Sequence, residues 1–344
     1  LQRREVSIAD IAQVAGVSHT TVSRALRGSP LISVDTRERI QRLAEEMGYT
    51  PNAIAQSLQT RQTYTLGLVV TSIADPFLGD VVKGVEEVAR AAGFSVLLSA
   101  SHNDPEQEMA IIETFHRRRV DGILVASSRL TSDYKKRLDR LHVPTVLINS
   151  QAEAQDGLLH WVAVDDRVGA QMAVQHLLQL GHRAIGYIGT SSRPRSNRHR
   201  LEGYRSALEA ASIPFDTARV VIAPSIEASD EEDVAAGEAS LPALLAHGVT
   251  AIFCYNDMIA VGVQVACREQ GIAIPRDLSI VGFDDIRMAS YVNPPLTTVR
   301  QPKVELGSRA TQLLLDLLDH RPVQDHLLPP VLVHRASTAP LKGS

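Results

Sequence analysis

Residues 7–26 read SIADIAQVAGVSHTTVSRAL, two short amphipathic stretches separated by Gly16. Ser7 can cap a first helix whose third residue is Asp10, a short form of the capping box, and Ile8, Ile11, Ala12 and Ala15 then share one apolar stripe. Gly16 tolerates the left-handed backbone of a tight turn, Val17 can pack inward from it, and Ser18 can cap a second helix that buries Val22, Ala25 and Leu26. Two helices crossing steeply need a small contact, a turn and a buried anchor, which Ala12, Gly16 and Val22 supply. The spacing predicts a helix-turn-helix. Its second helix turns His19, Thr20, Ser23, Arg24 and Arg27 outward, a set suited to a major groove: arginine can bond a guanine edge in two places, and hydroxyls reach phosphates or bases. The competing reading is an ordinary solvated face in a small helical bundle.

Outward from this stretch, a Gly28-Ser29-Pro30 loop leads to Ser33, which can cap a third helix with Thr36 three residues on and Ile40, Leu43, Ala44 and Met47 on its core face. Gly48 ends it, giving a head of roughly fifty residues, near the lower limit for independent stability. Tyr49-Thr50-Pro51-Asn52 breaks the chain. Ala53 to about Thr60 then reads as one or two helical turns, too short to hold alone, since isolated helices below about 12–15 residues are marginal in water. From Leu66 the pattern changes to buried-type strands (LGLVV, FSVLLSA, DGILVAS, TVLIN) separated by helices near 78–92, 105–118 and 131–141. After Asp165 come helix 167–180, strand AIGYIGT, helix 200–211, strand VVIA, helix 234–246, strand AIFCYN, helix 257–270 and strand SIVGF. Such alternation means parallel sheets with helices on both faces.

The 344 residues are enough for two or three domains, and 44% hydrophobic with 22% charged is the balance of a soluble globular protein. The net charge of −4 is unevenly spread: residues 1–64 hold eight arginines and six acids, so a head of +2 precedes a body of −6. Cys254 and Cys267 lack CxxC spacing and read as buried thiols. No apolar run approaches the roughly 18 residues of a membrane span, and the start runs into a capped helix with no signal-peptide core, so a cytoplasmic location is expected. There is no Walker phosphate loop, no GxGxxG after a strand and no metal-type histidine pair, so neither cofactor, metal nor enzyme activity is expected.

Ligands of open parallel sheets sit beyond the carboxyl ends of the strands. Those ends carry Asp75-Pro76-Phe77, Asn149, Asn256-Asp257 and Asp284-Asp285, residue types that suit a polyol: carboxylates and amides take hydroxyl hydrogen bonds, and an aromatic face covers a sugar ring. The loop 191–199 adds Ser191, Ser192, Arg193, Arg195 and Asn197, for which solvation is the commoner explanation. Asp257 can equally serve as a helix cap. The only catalytic pair the pattern offers is Asp284 with Asp257.

VSIADIAQVAGVSHTTVSRAL, followed by TRERI, EEMGYTPNAIAQSL and LGLVV, resembles the head and hinge of the lactose-repressor (LacI/GalR) family, and the resemblance continues through NDMIAVG (256–262), DLSIVGFDDI (277–286) and PPLTTVRQP (294–302). It implies a small all-α helix-turn-helix head (1–50), a hinge (51–64), and an α/β two-lobed body like a periplasmic binding protein (65–344). Lobe 1 would take about 65–161 and 292–322, lobe 2 about 162–291 and 323–340. It implies a homodimer on a pseudo-palindromic operator, most simply as a repressor, with a sugar-like effector. By analogy and by chemistry, His19, Thr20 and Arg24 would read bases, while Ser7, Ser18, Ser23, Tyr49 and Asn52 would position the DNA backbone. The family's minor-groove wedge matches Leu58; Gln56 and Gln59 stand where arginine is frequent, so phosphate grip would be weaker there. The family's effector positions fall on Phe77, Asn149, Arg200, Asn256 and Asp284. The segment 226–241 departs from the pattern, being longer, more acidic and without the usual aromatic. APLKGS at the end holds no heptad, so no coiled-coil tetramer is expected. The rival reading is a two-lobed sugar-binding protein without specific DNA recognition.

Overall fold

In a computed structural model that describes residues 6–49, 62–126, 137–138, 140–150, 159–224 and 230–341, the chain forms two compact units, 1–63 and 64–344. The first unit holds α1 (Ile8–Ala15), α2 (His19–Leu26) and α3 (Val34–Glu46). The expected local signals are all in use. Ser7 and Asp10 form the reciprocal capping box, Gly16 is left-handed at φ 66°, and Ser18 and Ser33 cap the next two helices. Ile11, Ala12, Val22, Ala25, Ile40 and Ala44 make one buried core, with Val17, Leu43, Met47 and Tyr49 packed against it. The Arg39 guanidinium donates to the Ala15 carbonyl at 3.2 Å, satisfying a carbonyl that the end of α1 leaves without a helical partner.

Among its described residues the second unit contains two six-stranded sheets. Along the chain come β1 (Thr65–Val70), α4 (Pro76–Ala91), β2 (Ser95–Ala100), α5 (Pro105–Arg117), β3 (Gly122–Ala126), β4 (Thr145–Ile148), β5 (Leu159–Val164), α6 (Asp166–Gln179), β6 (Ile185–Thr190), α7 (Pro194–Ala210), β7 (Val220–Ala223), α8 (Asp230–Ala246), β8 (Ala251–Cys254), α9 (Asp257–Glu269), β9 (Ser279–Asp284), α10 (Met288–Tyr291), β10 (Thr297–Arg300), α11 (Lys303–Leu318), β11 (His326–Leu328) and β12 (Val331–Val333). The first sheet runs β11-β5-β4-β3-β1-β2, all parallel. The second runs β12-β10-β9-β8-β6-β7, parallel except for β12. Alternate residues of β1 go to opposite faces: Leu66, Leu68 and Val70 join α4 and α11, whereas Val69 joins Met109, Ile112 and Phe115 of α5.

Within each lobe two helices touch backbone to backbone. A Cβ on Gly84 of α4 would lie 2.1 Å from the Val304 carbonyl, and one on Gly307 of α11 2.1 Å from the Val81 carbonyl. Gly237 and Gly262 do the same for α8 and α9, at 2.1 and 2.0 Å from the carbonyls of Ile259 and Val234.

Two expectations are corrected. Strand β5 belongs to lobe 1 and β10 to lobe 2, so the chain crosses between lobes near 165, 301–302 and 329–330 rather than near 160, 291 and 323. Pairing of each strand with the one before it decides this, through Thr145↔Leu159 and Thr297↔Val281, and an apolar run does not report which neighbour it pairs with. Helix α7 begins at Pro194, not near 200, because proline is favoured in the first turn and Asn197 is buried, accepting from the Tyr187 hydroxyl at 2.8 Å. Residues 191–199 are therefore mostly helix. Cys254 and Cys267 are buried free thiols, as read. Asn52, Leu58, Gln56 and Gln59 lie outside the described residues, as do most of the 131–141 helix and 226–229.

Candidate functional site

The outer face of α2 carries His19, Thr20 and Arg24, all exposed. Thr20 and Arg24 stand one helical turn apart, so both side chains can reach one stretch of groove. The serines nominated for the DNA backbone already have work inside the head. Ser7 Oγ donates to the Asp10 carboxylate at 2.6 Å, Ser18 Oγ accepts from the Thr21 amide at 3.1 Å, and Ser23 Oγ accepts from Arg27 at 3.0 Å. Tyr49 is half-buried against the core. These contacts hold the helix ends in place, and the exposed caps keep oxygen lone pairs toward solvent.

In the second unit a cleft opens at the carboxyl ends of the strands. Lobe 1 lines it with Asp75, Pro76 and Phe77; lobe 2 contributes Arg193, Asp233, Asn256, Met258, Asp284 and Ile286. Arg193 donates to the Asp75 carboxylate at 2.8 Å, so an ion pair joins the two lobes across the cleft. Asp75 also caps α4 through the Phe77 amide at 2.9 Å. Asn256 caps α9, its Oδ1 accepting from the Ile259 amide at 2.9 Å, and its Nδ2 donates to Asp233 at 2.6 Å. Burial pushes the Asp233 carboxyl above the ordinary range despite that bond.

Asp284 ends β9 with φ 115°, a region costly for a side chain, and Asp285 follows at φ 52°. The buried Lys303 ammonium holds the pair by donating to both carbonyls at 2.7 Å. Burial raises the Asp284 carboxyl to about 6, with Arg200 and the 2.6 Å bond from Gln301 pulling the other way. Asp285 is half-buried, and Arg300 and Arg335 hold its carboxyl below the usual range against that burial.

Of the five expected effector residues, Phe77, Asn256 and Asp284 line the cleft, whereas Arg200 and Asn149 do not. Arg200 lies behind the lining, 2% exposed. Its Nε donates to Asp166 at 2.8 Å and its guanidinium sits 3.7 Å above the Phe283 ring and 4.3 Å from that of Tyr255. Nη1 bonds the Tyr255 carbonyl and stands 3.7 Å from Asp284. Arg200 therefore positions Asp284. Asn149, left-handed at φ 55°, joins two crossing segments: its Nδ2 donates to Gln301 at 3.3 Å and its Oδ1 accepts from the Val164 amide at 3.4 Å. Asp257 neither caps α9 nor reaches the cleft. Fully buried, it accepts from Thr298 at 2.5 Å and the Ile286 amide at 2.9 Å inside lobe 2, where burial and the nearby charge of Asp284 raise its carboxyl well above the ordinary range. Sequence reasoning missed Asp233, Met258 and Ile286, and treated Arg193 as one loop residue among several; the acidic run 230–233 was the one available signal for Asp233.

Residues 7–52 match the model of bacterial regulatory proteins of the lacI family, and residues 174–338 match the periplasmic binding protein-like domain. The HTH-type transcriptional regulator GalR of Escherichia coli is 36% identical over 344 residues, covering 98% of each chain. The ribose operon repressor of Haemophilus influenzae is 34% identical over 343 residues, covering 97% of this chain and 98% of its own. Among solved structures, the lac repressor dimer bound to operator and the anti-inducer ONPF superposes with a TM-score of 0.85 at 27% identity, over 98% of this chain and all of that one. The regulator CelR in complex with cellobiose gives 0.72 at 29% identity, over 97% and all of the respective chains.

Proposed function

Because this chain belongs to the lacI family of bacterial regulatory proteins, we propose that it represses transcription from a pseudo-palindromic operator, bound as a homodimer, under control of a sugar-like effector held in the cleft between its lobes. The observation that carries this reading is the pairing on one chain of an exposed α2 face of His19, Thr20 and Arg24 with a cleft lined by Asp75, Phe77, Asp233, Asn256 and Asp284, residue types suited to hydroxyl groups. Leu58 is the residue we assign as minor-groove wedge, and Asn52 and Tyr49 as backbone contacts, by resemblance. Work on DNA places the protein in the cytoplasm. An effector can alter DNA affinity only by favouring one lobe arrangement over another. The crossing segments offer the route, since Gln301 bonds both Asp284 of the cleft and Asn149 of lobe 1.

The test is selection of random duplexes by the full-length chain, repeated with a pool of sugars. Recovery of a palindrome whose retention shifts with one sugar is expected. A palindrome indifferent to every sugar overturns the effector class, and enrichment of no sequence overturns the DNA reading in favour of a binding protein. On the recovered operator, Arg24→Ala should relax preference at one base position by about 1–3 kcal/mol; an unchanged preference removes Arg24 from the readout.

A further inference from the structure

We infer that the body of the protein carries a second DNA contact: the amino-terminal edge of the lobe 1 sheet binds phosphates of the duplex flanking the operator, chiefly through Arg117, Arg118 and Arg140. The inference rests on the operator-binding reading. It starts from a run that the sequence places between α5 and β3, HRRRV, whose residues His116 to Arg119 are all exposed. The run lies where the chain enters the body from the head. Two residues after Arg119, Asp121 donates its amide to the Thr65 carbonyl at 2.8 Å and accepts the Thr65 amide on its carboxylate at 3.1 Å. Thr65 is the first residue of β1 and the second of the unit.

Because the sheet is parallel, the turns before β3 and β4 lie at the same edge, which adds exposed Arg140 and His142. The acids of that edge have other partners. Asp121 binds Thr65, Glu86 pairs with Arg90 at 3.5 Å, Asp316 and Asp319 pair with Arg321, and Asp325 holds His160 and the Trp161 amide. The opposite edge of the same sheet faces the effector cleft. A solvated run of like charges is ordinary; three arginines beside the point where the chain enters the body, in a body of net −6, offer the charge that phosphate takes. The fourteen residues 50–63 between head and body can span at most about 50 Å, which sets an upper limit on the distance between this edge and the head.

The experiment compares the full-length chain with the variant Arg117→Ala, Arg118→Ala on the selected operator, with and without roughly ten flanking base pairs on each side, over a range of salt. Each phosphate contact contributes about 0.9 to the slope of log affinity against log salt. With two arginines lost from each protomer, the variant dimer should lose between about three and four from that slope, and more than roughly tenfold in affinity at low salt, with base preference unchanged and the benefit of flanking DNA removed. Arg117→Lys with Arg118→Lys should restore most of both. Arg276→Ala in lobe 2, an exposed arginine paired with Asp277, should leave both unchanged. An unchanged slope in the alanine variant, or an equal loss in Arg276→Ala, overturns the contact while operator binding stands. Failure of the wild-type chain to enrich any duplex overturns both readings.

Discussion

Asp284 joins a strained backbone, a buried carboxylate and a place in the cleft wall, and its proton links stability to pH. Burial raises its folded-state value from the ordinary 3.8 to about 6, so between those values the folded protein binds the proton that the unfolded chain has released. Stability from this group is full below about pH 4 and is lost as pH rises through about 6, by about 3 kcal/mol. Wild type should therefore lose ground against Asp284→Asn across that window and hold a constant difference above it. Denaturant titrations at several pH values read this directly, and parallel curves would show that the carboxyl titrates normally. That Asp284, Phe77 and Asn256 would meet was legible because each follows a parallel strand, and strand ends share an edge. Arg193 against Asp75 was not: 118 residues separate them, and only the approach of two lobes makes the pair.

Among the elements, the head was readable nearly to the residue because each of its devices is local. A serine cap, a glycine turn and a second serine cap lie within twenty residues, and the apolar stripe between them has the helical period. The body's strands were readable as apolar runs; their membership of one lobe or the other was not, since an apolar run does not say whether it pairs with the strand before it, as β5 and β10 do, or with one far back along the chain, as β11 does with β5. Helix contacts were also silent in sequence. The α4–α11 crossing depends on the absence of a Cβ at Gly84, where one would stand 2.1 Å from a backbone carbonyl that cannot rotate aside. Gly84→Ala should force these helices apart and destabilise the protein by about 3 kcal/mol, measured as a lower denaturation midpoint. Alanine at Gly79, in the same helix with open space around it, should be tolerated; equal losses at the two positions would mean the crossing is not the cause.

For the molecule as a whole, the Arg193–Asp75 ion pair is a lobe-to-lobe tie between side chains 19% and 10% exposed. An attraction between the lobes favours their closed arrangement, so an effector acts on an equilibrium that the chain's own side chains tilt. Arg193→Ala should open the cleft, seen as a larger radius of gyration in solution scattering of the ligand-free protein and reversed by a saturating effector; identical scattering from both proteins would show that the tie does not set the resting state. The three crossings have a consequence for synthesis. Lobe 1 needs α11 and β11, and lobe 2 needs β12, so lobe 1 cannot complete its sheet until the ribosome has passed Leu328, nor lobe 2 until it has passed Val333. The head, closed within the first fifty residues, can fold long before. A nascent chain therefore acquires its groove-reading helix well before it has the means to respond to an effector, and a chain that ends early carries the first without the second.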